Sequence, residues 1–110
     1  MANRIEQARA AVDACIREAY LRAAAAGALP EGADVRGSVE QPKDTANGDF
    51  AANHAMASAK TMHMAPRKIA EALMAHMDLD GTWFASVEAA GPGFLNFRLS
   101  DKWYQDVLTA

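Results

Sequence analysis

Gly91-Pro92-Gly93-Phe94-Leu95-Asn96-Phe97-Arg98-Leu99 reads as a tight turn feeding a β-strand. Side chains alternate along a strand with period two, so Leu95, Phe97 and Leu99 share one face and Phe94, Asn96 and Arg98 the other. The first set is built for a core. The second sets an aromatic ring, an amide and a guanidinium in a row on the open side, a combination suited to stacking on an unpaired base and hydrogen-bonding its edge. Such a face binds; it carries no catalytic constellation.

Trp83 to Ala90 is rich in aromatic and β-branched residues, and the short Gly-Pro-Gly connection predicts that it pairs antiparallel with the strand that follows. Upstream, Ile69, Ala70, Leu73 and Met77 fall on one helical face, and Pro66 suits that helix's first turn, where its missing N–H has no partner to lose. A helix predicted from about Phe50 to His63 forms a hairpin with it, capped by Asp49. Val35, Gly37 and Val39 alternate with polar residues and predict a half-buried strand whose ladder Pro42 ends or confines to an edge. From about Asn3 to Ala26, apolar residues recur at three- and four-residue steps, giving an amphipathic helix stopped by Gly27 and Pro30. Ser100 or Asp101 caps a final helix whose apolar face begins with Trp103, Tyr104, Val107 and Leu108. The order α-β-α-α-β-β-α predicts an α+β fold with helices packed on one face of a small, mainly antiparallel sheet. The last helix breaks off with its apolar face only begun, so the chain is expected to be cut from a longer polypeptide.

At 110 residues, 51% hydrophobic and 23% charged, the composition is that of one soluble globular domain spanning 1–110. No apolar run approaches the roughly 20 residues that a membrane span needs. A basic-then-apolar leader pattern is missing at the N-terminus, and a lone Cys15 cannot form an internal disulfide, so a cytoplasmic location is expected. The net charge of -3 argues against a module that grips nucleic acid by bulk phosphate neutralisation; any such contact is local, or shared with another part of a larger protein.

Other residues invite chemical readings that weaken on inspection. His54, His63 and His76 have no helical i, i+4 ligand spacing and a single cysteine to help them, so no metal site is expected. Turn and cap roles account for Asp44 and Asp49 without acid–base catalysis, and no catalytic residue is assigned. Asn53 is expected to bond a strand or loop backbone, and Met56, Met62, Met64, Met74 and Met77 to fill gaps between the hairpin and the sheet. Lys43, Lys60, Arg67 and Lys68 are either candidates for contact with a nucleic-acid backbone or a solvated helix face.

The blocks Val39-Glu40-Gln41-Pro42-Lys43-Asp44, Asn47-Gly48-Asp49-Phe50-Ala51-Ala52-Asn53, Ala59-Lys60, Pro66-Arg67-Lys68-Ile69-Ala70 and Ala90-Gly91-Pro92-Gly93-Phe94-Leu95-Asn96-Phe97 together resemble the N-terminal additional domain of arginyl-tRNA synthetases. Each is short; their order and spacing are specific and cover most of residues 35–108. The resemblance implies a tRNA-recognition domain that contacts the D-loop at the outer corner of arginine tRNA. The catalytic domain of the same polypeptide would use ATP and L-arginine, while this domain needs no cofactor and binds neither DNA nor membrane. In the family, an aromatic residue and an amide-bearing residue two positions later, on the strand after the Gly-Pro-Gly turn, make part of that contact, and Phe94 and Asn96 match them. A polar contact that some members place three residues before the aromatic falls here on Gly91, which has no side chain. Arg98 joins the tRNA-binding set as a helper, meeting a phosphate or pairing with Glu88 or Glu40. The class I motifs His-x-Gly-His and Lys-Met-Ser-Lys-Ser are absent from these 110 residues, so this stretch by itself is expected to be inactive as a ligase. The rival reading is a self-standing protein-interaction module that keeps the fold without tRNA recognition.

Overall fold

The computed structural model describes residues 4–42, 48–101 and 103. Helix α1 (Arg4–Ala25) buries Ala8, Val12, Ile16, Ala19 and Ala23, the stripe expected from its periodicity. It ends in a left-handed Gly27 (φ 81°), with Ala28 N–H donating to Ala23 O at 2.8 Å and Gly27 N–H to Ala24 O at 3.1 Å, the paired bonds of a Schellman stop. The Tyr20 hydroxyl then ties down the departing chain, donating to Pro30 O and accepting from Ala33 N–H.

Strands β1 (Val39–Glu40), β2 (Phe50–Ala52), β3 (Phe84–Ala90) and β4 (Phe94–Leu99) form one antiparallel sheet in the order β1-β2-β4-β3. Between β2 and β3 lie α2 (His54–Met62) and α3 (Pro66–Ala75), the predicted hairpin, with Pro66 in the first turn of α3. Helices α1, α2 and α3 contact the sheet or each other over the face that carries Phe50, Leu95 and Phe97, each fully buried. Phe84 meets Phe97 edge-on at 5.3 Å between ring centroids, a favoured aromatic geometry. The α+β class and the one-sided helical layer are as expected. Asp101 and Trp103 are helical, and the rest of the predicted final helix lies outside the described residues.

Two local readings are corrected. Phe50–Ala52, read as the start of a helix, is a strand, because Asp49 is committed to β4: its N–H donates to Phe97 O at 2.8 Å and its carboxylate accepts Leu99 N–H at 2.8 Å. Asp49 is therefore a clamp between strands and not a helix cap. The helix starts at His54, preceded by Asn53, whose Oδ1 accepts Ser38 N–H at 2.7 Å. The predicted strand over Val35–Glu40 shrinks to Val39–Glu40, since side chains of the helix layer take its backbone: the buried Ser58 hydroxyl accepts Arg36 N–H at 3.0 Å and donates to Arg36 O at 3.1 Å. Asn53 thus bonds loop backbone as expected. Of the methionines, Met62 is buried and Met64, Met74 and Met77 pack against the core as expected, while Met56 is half-buried beside Gly93.

One polar pair ties α1 to α2 inside this layer. His54 is fully buried, with Nε2 2.8 Å from Asp13 Oδ1, while Arg17 Nε donates to Asp13 Oδ2 at 2.8 Å and Arg17 Nη1 to Val35 O at 3.0 Å. An ionised carboxylate accepts only, so the Nε2 carries the proton. Gly37 packs closely on His54: a Cβ there would come within 2.6 Å of its Cα and Cγ. Burial acts to raise the Asp13 pKa, but the hydrogen bonds from Arg17 and His54, and their charges, outweigh it and hold the carboxyl below its ordinary value of 3.8. A depressed carboxyl pKa stabilises the fold above the ordinary value, and this is lost as pH falls through the folded-state value. Asp13→Ala, which leaves the buried His54 Nε2–H without its acceptor, is expected to cost about 1–3 kcal/mol in urea melts near neutral pH. The gap between wild type and variant should be wider at about pH 5 than at about pH 3.

Candidate functional site

The Gly91–Gly93 turn is pressed onto the helix hairpin, and this sets where β4 begins. A Cβ on Gly93 (φ 146°) would lie 2.7 Å from Pro66 Cβ and 3.1 Å from Met56 Cγ, so glycine alone fits between the turn and the start of α3. Arg67 Nη1 donates to Gly91 O at 3.2 Å from the same helix start, and its Nε lies 3.6 Å from Glu71 Oε2. Arg67, read from sequence as a candidate nucleic-acid backbone contact or a solvated residue, anchors the turn.

Beyond the turn, the pleat sorts side chains as expected: Leu95 and Phe97 are buried, while Phe94 and Arg98 are exposed and Asn96 is half-buried on the open face. Phe94 is 36% exposed, and with Leu21 it is one of the large hydrophobic side chains left exposed among the described residues. Register places Ala90 opposite Phe94 and Ser86 opposite Arg98. Asn96 stands between Glu88 on β3 and Ala51 on β2, and Ala51 in turn pairs with Glu40 on β1. Directly opposed residues share a face, so Glu40, Ala51, Asn96 and Glu88 form one row across the open side of the sheet.

Along that row the surface dips into a cleft of about 360 Å³, lined by Phe94 and Asn96 together with Ala51, Glu40, Pro42 and Pro92 among others. The structure therefore brings Phe94 and Asn96 to one cleft and leaves Arg98 further along the strand, outside its lining. Arg98 faces Ser86 directly, with Glu88 only diagonal to it. Sequence reasoning missed Glu40, Ala51 and Pro92 as walls; the signal for the first two was the β2 pairing, hidden when Phe50–Ala52 was read as helix. Among the described residues, no cluster of three His, Cys, Asp or Glu side chains is arranged to hold a metal ion. No helix in the described residues is long and apolar enough to cross a membrane. Burial, and next the nearby Glu18, raise the Cys15 pKa, so its thiol is held protonated inside the core.

These features define an α+β domain with one sheet face sealed by helices and the other open around an aromatic and amide cleft. Residues 6–99 match the arginyl tRNA synthetase N terminal domain, and the chain belongs to that family. It is 40% identical over 108 residues to the arginine–tRNA ligase of Acetivibrio thermocellus, covering 98% of this chain and 19% of that protein. It is 43% identical over 106 residues to that of Symbiobacterium thermophilum, covering 96% and 19%. The Ruegeria ligase is 54% identical over 85 residues, 76% of this chain and 14% of the ligase. The chain thus spans less than a fifth of each relative. Among solved structures, the fold superposes on Plasmodium falciparum arginyl-tRNA synthetase with a TM-score of 0.69 at 14% identity, over 89% of this chain and 17% of that one. The Thermus thermophilus arginyl-tRNA synthetase gives 0.54 at 30% identity, over 77% and 14%.

Because Gly93 combines a positive φ with contact on Pro66, Gly93→Ala is expected to lower stability by about 1–3 kcal/mol through overpacking. The check is thermal unfolding, with Gly81→Ala as comparison: that glycine also has a positive φ (77°), but nothing lies within 4 Å of its Cβ position. Equal losses in the two variants would show that the turn is not wedged against α3.

Proposed function

We propose that this chain is the tRNA-recognition domain of an arginine–tRNA ligase, an amino-terminal domain occupying residues 1–110, and that it contacts the D-loop at the outer corner of arginine tRNA. The observation that carries the reading is the meeting of Phe94 and Asn96 at one cleft on the open sheet face. A ring with one face accessible stacks on any base, and an amide beside it offers both a donor and an acceptor to a base edge. The ligase chemistry, ATP-dependent attachment of L-arginine to the tRNA, belongs in this reading to a catalytic domain elsewhere in the same polypeptide, working in the cytoplasm. Family membership and the ligase relatives support this over a self-standing interaction module.

Energetics support a division of labour. One stacked base is worth roughly 1–3 kcal/mol, enough to tune recognition but too little to hold a tRNA. With a net charge of -3, the domain adds little through phosphate neutralisation, so affinity rests on the rest of the ligase and this cleft supplies selectivity.

In the full-length ligase, Phe94→Ala and Asn96→Ala are each expected to lower kcat/KM for arginine tRNA by about 5-fold or more, with unfolding temperature unchanged. Wild-type values for both variants would overturn the base contact. Arg98→Ala is expected to weaken tRNA binding alike for all D-loop sequences and to reduce the slope of log affinity against log salt by about one, the signature of a phosphate contact. A sequence-dependent loss with no change of slope would assign Arg98 to base reading instead.

A further inference from the structure

We infer that Glu40 is the specificity-determining wall of the cleft: its carboxylate accepts a hydrogen bond from an exocyclic amino group, so the site admits an amino-bearing base and rejects uracil. The inference rests on the D-loop reading above and adds to it a residue that the Phe94 and Asn96 pair does not include.

Glu40, Ala51 and Asn96 stand on three adjacent strands, directly opposite one another. At about 4.8 Å between strands, the Asn96 and Glu40 backbones lie roughly 10 Å apart, with only the methyl of Ala51 between them. Phe94, two residues from Asn96 on β4, is the diagonal neighbour of Ala51. The cleft is thus lined by Ala51 and Phe94, with Asn96 and Glu40 on opposite sides of Ala51. Among the described residues, no hydrogen bond or ion pair takes up the Glu40 carboxylate, and Glu40 is exposed.

The two polar walls are not equivalent chemically. Asn96 offers an oxygen and an NH₂ group, so by reorienting it satisfies a base edge of either polarity and cannot by itself refuse uracil. An ionised carboxylate only accepts. Adenine, cytosine and guanine each carry an exocyclic NH₂ to donate to it. Uracil carries none; its one ring N–H on that edge lies between two carbonyl oxygens, so a carboxylate placed there meets an acceptor on at least one side. Leaving that carboxylate facing an acceptor disfavours uracil, by a moderate factor because the exposed carboxylate keeps contact with water. The same negative charge repels phosphate, which directs the cleft toward a base and away from the backbone.

The test uses the full-length ligase and arginine-tRNA transcripts in which each unpaired D-loop nucleotide is changed in turn to A, C, G or U. At the position where Phe94→Ala removes dependence on base identity, the wild-type ligase is expected to lose about tenfold in kcat/KM on uracil, roughly 1.4 kcal/mol. Glu40→Gln, which restores a donor at the same place, should bring the uracil transcript to within about twofold of the amino-bearing ones. The inference is overturned if the wild-type ligase accepts uracil equally at that position, or if Glu40→Gln keeps the wild-type preference. If Phe94→Ala and Asn96→Ala change nothing on any transcript, the base contact itself fails and this inference fails with it. If they lower kcat/KM while Glu40→Gln does not relax the preference, only the role of Glu40 is lost.

Discussion

Asp49 holds two bonds on which the remaining architecture depends. Its N–H reaches Phe97 O and its carboxylate reaches Leu99 N–H, both at 2.8 Å, so the chain entering β2 is pinned to the far half of β4 before it continues. A carboxylate accepting a backbone N–H makes a stronger bond than two neutral partners do. From that pin, Phe50 falls opposite Phe97, Ala51 opposite Asn96 and Ala52 opposite Leu95. A one-residue slip would exchange the faces, exposing Phe50 and driving Ala51 into the core. Gly48, at φ 89°, makes the approach possible: a Cβ there would sit 2.9 Å from Phe97 O.

The same register builds both sides of the sheet at once. On the inner side it completes a wall of Phe50, Leu95 and Phe97, against which the helices close. On the outer side it sets the small Ala51 beside Asn96, so the surface dips where a bulkier residue would have filled it. The open face and the core are therefore coupled: the cleft exists in this place because the core pairing demands that register. The helix layer reinforces the arrangement from beneath, with Asn53 and Ser58 of the α2 region taking backbone at Ser38 and Arg36, and Pro66 and Arg67 holding the Gly91–Gly93 turn. The buried His54 and the partly exposed Asp13 join α1 to α2 and take no part in the cleft.

Helix α1, the α2–α3 hairpin and the β3–β4 pair were legible because each follows a local periodicity or a turn rule that needs no knowledge of distant residues. The face of Phe94, Asn96 and Arg98 was legible for the same reason, and so were the filling role of the methionines and the backbone bond of Asn53. What local rules misjudged was Asp49 to Asn53. Asp before an apolar, alanine-rich run is a sound helix start, and only the partners Phe97 and Leu99, nearly 50 residues away, turn that run into a strand. The loss of the Arg36–Ser38 ladder has the same origin: alternation was present, but Ser58 and Asn53 supplied competing hydrogen bonds from a helix more than a dozen residues on.

By itself, then, the sequence determined the α+β class, the helices, the final hairpin and which side chains of β4 face outward, since period, capping and turn chemistry are properties of neighbouring residues. Its ordered blocks also carried the resemblance that the family match bears out. Tertiary structure alone decided that β2 exists, that Ala51 and Glu40 stand in line with Asn96, and that Arg98 lies outside the cleft. The physical reason is that strand pairing is a long-range choice: each residue in β2 can be a helix or a strand by its own preferences, and the hydrogen-bonding edge of β4 selects between them.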